Sequence, residues 1–309
     1  MANTAFPLQR VDLGPVIASR RLWRQPRLLC QVEPDLSQLI DGVEPDIPTL
    51  GTEGAGYRFQ SVSQAMADRL PDELPGLLPG ARQDFPRYYV DLRPGFDAYM
   101  AQFSGKTRST LRRKARKLAA HDGGALDIRS FHRPDEIDTF FQAALPLSAR
   151  TYQDRLLDAG LPDDPQFRRK AEALARADAV RAWVMYVHGA AAAYLYLPVT
   201  GRTLRYDYLG YDPALANLSV GTVLQMHALE QVMAEKKFDW FDFTSGDGAH
   251  KRLFATGHVD CSTIILLRPG LANRAALLSG QIIDRAAQHG AGWAKRWGLD
   301  ARLRKALRR

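Results

Sequence analysis

Cysteine is nearly absent from this chain: Cys30 and Cys261 are the only two in 309 residues. Two thiols so far apart exclude a disulfide framework and a Cys-based zinc site, and neither sits in a nucleophile motif. Also missing is any apolar run near the ~18–20 residues that a membrane-spanning helix needs. The histidines show no metal-ligand spacing, so no metal is expected. There is no fixed-period repeat and no low-complexity tract. The first thirty residues lack a signal-peptide layout, because Arg10, Arg20, Arg21, Arg24 and Arg27 are scattered through them with no apolar block between. These absences predict a cytoplasmic globular protein.

What the chain has in excess is positive charge. The net charge is +8, and most of it is concentrated. Residues 269–309 carry nine Lys/Arg against Asp284 and Asp300. A second cluster, Lys106, Arg108, Arg112, Arg113, Lys114, Arg116 and Lys117, meets no acid until Asp122. Such clusters attract polyanions: nucleic acid, anionic lipid or cofactor phosphates. In the C-terminal segment, Trp293 and Trp297 share a helical face among basic residues, a composition that suits a bilayer interface. Peripheral contact with the inner membrane through 271–309 is therefore an expectation, beside simple docking of a helix on its own domain.

Periodicity orders the rest. Residues 1–85 are Pro- and Gly-rich and weakly periodic, with loops at 43–55 and 70–80 and a short helix over 61–69. Arg87–Leu92 reads as a strand. Helices follow over 96–103 and, with Ser104 as N-cap, from 105 to about 120. A strand is expected at 126–131, helical pieces at 134–145, 148–157 and 164–177, then three antiparallel strands at 180–187, 190–197 and 203–210. A strong helix over 219–237 precedes a short strand at 239–243, a short helix at 249–254 and a last strand at 262–267. Ser104-Gly105-Lys106-Thr107 mimics the end of a phosphate loop. It follows a helix, however, and Met100 stands where the loop needs glycine, which excludes an NTPase.

The chemistry concentrates between Tyr206 and Phe254. Ser219, Val220, Gly221 and Thr222 open a helix whose free N–H groups and positive dipole end suit a pyrophosphate. Asp242, between Phe241 and Phe243, is an acid on a short aromatic strand and faces away from both rings by alternation. Asp247 follows Gly246 in a turn, where Asp is also common for local reasons. His250 titrates near neutrality and has Lys251 beside it. Tyr206 and Tyr208 alternate with Asp207, so both are expected on one side and Asp207 on the other. Each of these has a plain structural alternative in an N-cap, a turn or core packing.

At this point the sequence resembles a known family. The stretch YDPALANLSVGTVLQMHALEQVMAEKKFDWFDFTSGDGAHKRLF is similar to the C-terminal half of CelD-like acetyltransferases, a GNAT branch linked to envelope polysaccharide synthesis. The matching elements are Tyr211-Asp212, Ser219-Val220-Gly221, Asp242-Phe243, and Gly246 followed by His250-Lys251. Upstream, YYVDLRPGFDAYMAQFSGKTRSTLRRKARKL resembles the family's central segment. Val220 stands where the family usually has Pro, and His250 where it usually has Tyr. The second departure bears on the acceptor more than on the fold.

The resemblance implies an α+β, GNAT-like fold with a mixed, mostly antiparallel sheet. It also implies a tandem pair of GNAT-like halves, as in FemAB proteins: 1–144, then an acyltransferase domain over 145–268, then the basic tail 269–309. Two adjacent strands would splay and hold an acyl-CoA thioester, acetyl or longer. Leu209 and Gly210 would border the pantetheine, and Ser219, Val220, Gly221 and Thr222 the pyrophosphate. Asp242, His250 or Asp247 would take the proton of an attacking amine, and Tyr208 would protonate the leaving thiolate. Lys251, Arg108, Arg112 and Tyr206 would contact substrate. The amine acceptor is expected to be an amino sugar of an envelope polysaccharide. Three alternatives stand beside it: a membrane-lipid amine such as a sphingoid base, an aminoacyl-tRNA-dependent transfer of FemAB type, and a non-catalytic nucleic-acid-binding protein. The last is disfavoured because the base-stacking aromatic pattern of RNA modules is missing.

Overall fold

The computed structural model describes residues 8–13, 16–17, 20–21, 25–153 and 160–277. The amphipathic stretch expected after 277, with Trp293 and Trp297, lies outside the described residues, as do 154–159. Two compact units emerge. One combines Met1–Pro34, Val43–Asp84 and Cys261–Arg309, and the other Asp35–Gly42 and Phe85–Asp260.

The first unit holds β1 (Leu8–Leu13), the short hairpin of β2 (Val16–Ile17) and β3 (Arg20–Arg21), β4 (Gln25–Val32) and β5 (Gly56–Ser63). Within it β1 pairs antiparallel with β4, and β4 parallel with β5. Val32, Phe59, Val62 and Leu266 are buried in its core. Here the Pro- and Gly-rich texture misleads, because these strands fall where weak periodicity was read. The helix expected at 61–69 starts later, since 61–63 finish β5.

The second unit carries the chemistry. It opens with α1 (Leu36–Ile40); α2 (Gln64–Glu73) belongs to the first unit and covers part of the 70–80 stretch expected as loop. The strands β6 (Leu78–Asp91) and, later, β13 (Gly257–Leu267) supply residues to both units. Between them come α3 (Phe96–Ala101), α4 (Gly105–His121), β7 (Asp127–Phe131), α5 (Ile137–Gln153) and α6 (Pro165–Arg176). Then follow β8 (Val180–Val187), β9 (Ala190–Thr200), β10 (Thr203–Arg205), β11 (Tyr208–Tyr211), α7 (Val220–Glu235), β12 (Trp240–Asp242) and α8 (Ala249–Phe254). Ser104 does cap α4, its Oγ accepting from Thr107 N at 3.2 Å. The helix α5 runs unbroken through Pro146, where two pieces were expected. Phe140, Phe141, Ala144 and Leu147 on either side of the proline are fully buried, and this packing outweighs one lost backbone bond.

Strand order in this unit is β6-β12-β10-β9-β8-β7, with β11 on β9. The sheet is mixed and mostly antiparallel, as expected. Strand alternation sorts β8 between two cores: Trp183, Met185 and Val187 join α3, α4 and α7, while Val180, Ala182 and Val184 join α5 and α6. Burial on both faces explains why β9 reads as a nearly continuous apolar run.

Candidate functional site

The site begins where a strand fails to continue. Residues 203–210 read as one strand, yet the chain breaks at Tyr206-Asp207 into β10 and β11. β10 pairs parallel with β12, Arg205 lying opposite Asp242. The last bond between the two runs from Tyr206 N to Asp242 O, 2.9 Å. On its other edge β10 already pairs with β9, and beyond the break β11 stays with β9, pairing Tyr208 with Tyr196 and Gly210 with Tyr194. Among the described residues β11 has no second strand partner. A wedge therefore opens between β11 and the end of β12.

The break also separates the two tyrosines, which corrects the expectation that they point one way. Tyr206 packs on Phe241 and Phe243, centroids 5.6 and 5.5 Å away. Tyr208 packs on Phe167 at 5.6 Å and belongs to the other core. Alternation holds only within a regular strand, and 206–207 are not one.

Behind the wedge lies the start of α7. Its N-cap, Ser219, is in the left-handed region and makes no side-chain cap bond. The first helical amides, at Val220, Gly221 and Thr222, have no acceptor within the helix. Gly221 is needed by closeness: a Cβ there would lie 3.3 Å from both Leu209 Cδ2 and Tyr211 Cδ1. Gly210 leaves room for the Tyr194 ring, which a Cβ would strike. Thus Leu209, Gly210, Gly221 and the α7 amides, all named as thioester-binding residues, meet along one edge. The basic helix α4 supplies charge nearby. Lys117 Nζ donates to Asn217 O at 3.3 Å, just before α7, and Lys114 acts on His250.

The acids divide sharply. Asp242 is fully buried and accepts from Arg87 through Nη2 at 2.6 Å and Nε at 3.2 Å, and from Thr244 N at 2.7 Å. Arg87 itself is 2% exposed. The pair anchors the strained turn at Thr244, whose φ is 61°. Asp207 sits at the break, its side chain 26% exposed, with Arg205 Nε 3.3 Å from Oδ1. Burial, reinforced by the Asp242 charge, raises its pKa above the ordinary carboxylate range, against the opposing pull of Arg205 and Lys170. Alternation had set Asp207 aside. Its signal is visible only once the strand is seen to break beside it.

The remaining named residues are accounted for one by one. His250 Nε2 lies 2.6 Å from Gln225 Oε1, and Gln225 is fully buried. Burial, with Lys114 and Lys251, lowers the His250 pKa, which keeps the ring neutral at neutral pH. Burial likewise lowers that of Lys251, whose Nζ donates to Ser245 O at 2.7 Å. Asp247 pairs with Arg252 at 2.7 Å on the surface. Arg108 donates to Phe103 O at 2.6 Å and so closes the end of α3. Arg112 lines a cavity between α3, α4 and α7 that also touches Thr222. No cluster of three metal-ligating side chains occurs among the described residues, and no described helix is long and apolar enough to cross a membrane.

Comparison with known proteins bears on this geometry. Residues 105–252 match the family model described as an acetyltransferase (GNAT) domain. No curated protein matches the chain. Among solved structures, FemX is 10% identical, with TM-score 0.51 over 83% of this chain and 87% of that one. L-PGS from Bacillus licheniformis is 15% identical, with TM-score 0.47 over 72% of each chain. At these identities the likeness is one of fold. The CelD-like branch is not singled out by these comparisons. The parted strands and the helix start behind them both fall within residues 105–252, the stretch similar to the GNAT acetyltransferase family model.

Proposed function

We propose that the protein transfers an acyl group from a coenzyme A thioester to an amine, with the thioester in the wedge between β11 and the end of β12. The observation that carries this reading is the parting of the two strands after the Tyr206–Asp242 bond, directly before the glycine-opened start of α7. The amides of Val220, Gly221 and Thr222 would meet the pyrophosphate, with Lys114 and Lys117 adding positive potential. The pantetheine would run along β11 at Leu209–Gly210.

The chemistry then needs one base. Asp207 takes a proton from the incoming ammonium, and the freed amine nitrogen attacks the thioester carbonyl carbon. As the carbon–sulfur bond breaks, Asp207 passes its proton to the leaving sulfur and takes the second proton of the nitrogen, which it then loses to solvent, giving a neutral amide and a thiol. A carboxylate with a raised pKa is suited to both transfers. Asp242 is the weaker candidate, because Arg87 and Thr244 N already occupy its oxygens. We assign it, with Arg87, to positioning the turn that carries His250 and Lys251. His250 and Asp247 border the acceptor side in this reading.

For the acceptor we propose an amino sugar of an envelope polysaccharide, on the residue pattern Tyr211-Asp212, Ser219-Val220-Gly221 and Asp242-Phe243. The tandem arrangement, a first half over 1–144 before an acting half over 145–268, belongs to the same proposal. A second reading, an aminoacyl-tRNA donor, is favoured by the seven cations of α4. The lipid-amine reading rests on 271–309, most of which lies outside the described residues.

A thermal-shift series with CoA, acetyl-CoA and palmitoyl-CoA tests the donor, followed by thiol release with glucosamine as the amine. A ligand at a hundredfold excess over its Kd stabilises the folded state by about 2.7 kcal/mol. A shift with acetyl-CoA supports the proposal, a shift with palmitoyl-CoA alone favours the lipid amine, and none with any thioester refutes the wedge assignment.

A further inference from the structure

A cavity lies in the same unit and has only Thr222 in common with the residues given to the thioester. It holds about 370 Å³ between α3, α4 and α7, within the usual range for small-molecule sites. From α7 it takes Thr222, Val223, Met226, His227 and Glu230. The fully buried residues of α7, including Val220, Leu224, Gln225, Ala228, Leu229 and Val232, lie on the opposite side of the helix at 3.6 residues per turn. The cavity therefore lies on the other face of α7, at the margin of the core that Leu111 and Val223 join.

Three features define what would fill it. Its walls are apolar: Phe96, Met100, Leu111, Leu126, Val223 and Met226. His227 lines it, and its Nε2 is shut off from solvent and has no hydrogen-bond partner among the described residues. Burial also lowers the His227 pKa, so the ring is neutral at neutral pH and one nitrogen donates while the other accepts. Around the cavity stand Asp97, Arg112 and Glu230, none of them in an ion pair among the described residues. Unpaired charges of both signs beside an apolar pocket suit a zwitterion with an apolar body. The orphaned imidazole nitrogen asks for a polar group on that body.

We propose that this cavity is a separate binding site for an aromatic α-amino acid whose ring carries a hydrogen-bonding group. The carboxylate meets Arg112, the ammonium meets Asp97 and Glu230, the ring fills the apolar walls, and an indole N–H or phenol OH partners His227. The site does not rest on the acyl-transfer reading. Because it shares Thr222 with the start of α7, an occupant bears on the helix end given to the thioester.

Calorimetric titration of the full chain with L-tryptophan, L-tyrosine and L-phenylalanine tests it. Tryptophan or tyrosine is expected to bind about tenfold more tightly than phenylalanine, the discrimination a buried unpaired group gives. His227→Leu should erase that difference, and Arg112→Gln or Glu230→Gln should each weaken binding about tenfold. Met226→Trp, which fills the cavity, should abolish binding in a chain that still melts cooperatively. No binding of any of the three amino acids, or an unchanged preference in His227→Leu, overturns the proposal. Titrating CoA into Glu230→Gln in parallel separates this outcome from failure of the wedge.

Discussion

Two aspartates stand at the break between β10 and β11, where pairing with β12 ends, and their surroundings could hardly differ more. Asp242 is sealed among aromatics with Arg87 and a backbone amide on its oxygens. Asp207 is partly open, lightly paired, and pushed toward its protonated form. A fully satisfied buried acid holds structure, because its oxygens are committed. An under-satisfied acid at the edge of a wedge is free to exchange a proton. The more conspicuous acid in the sequence is thus the less available one in the fold.

Exchanging each acid for its amide breaks this comparison most directly. Asp207→Asn is expected to lower kcat for acetyl-CoA and glucosamine by about 10²–10⁴-fold, with KM for the thioester nearly unchanged. Asp242→Asn removes the carboxylate charge from the buried pair with Arg87, so it should cost about 3–5 kcal/mol of stability in denaturant melts. If the two variants exchange phenotypes, the assignment of roles is wrong.

The pH dependence sharpens the same contrast. Since the folded pKa of Asp207 is raised, activity should fall with acid at a pH above the ordinary carboxylate range. The stability linked to its protonation is full below the unfolded pKa, about 3.9, and is lost as pH rises through the folded value. Asp207→Asn should therefore raise the melting temperature at pH 7, which calorimetry reads, while Asp242→Asn lowers it. Smaller effects are expected at the rim. Lys117→Met should raise KM for acetyl-CoA a few-fold, about the weight of one partly exposed charge, and the effect should shrink as salt is added.

The two units also differ in how far they can be read from residues alone. β8, β9 and α7 are legible because each obeys one period over many residues, and two packed cores reinforce it. The strands β1, β4 and β5 are hidden by proline, glycine and weak alternation. The break at 206–207 is hidden for another reason: Leu204–Gly210 is aromatic and apolar enough to pass for one strand. β9 pairs with both halves while β12 pairs only with the first, so the break appears only in the tertiary pairing. The same limit explains the site. Asp242 is noticeable as an acid between two phenylalanines, but its partner Arg87 lies 155 positions away. Asp207 gains meaning only from the wedge beside it. The start of α7 was readable because a helix N-terminus with glycine announces itself locally.

The most direct test of the central claim is calorimetric binding of coenzyme A to the wild-type chain and to Gly221→Val. A Cβ at 221 would lie 3.3 Å from Leu209 Cδ2 and Tyr211 Cδ1, so the branched side chain of valine crowds the start of α7 against β11. The account predicts a saturable wild-type isotherm and at least a tenfold weaker one in the variant, with both chains folded. Absence of binding to the wild type, or equal affinity in the two chains, would contradict a thioester site between β11 and the end of β12.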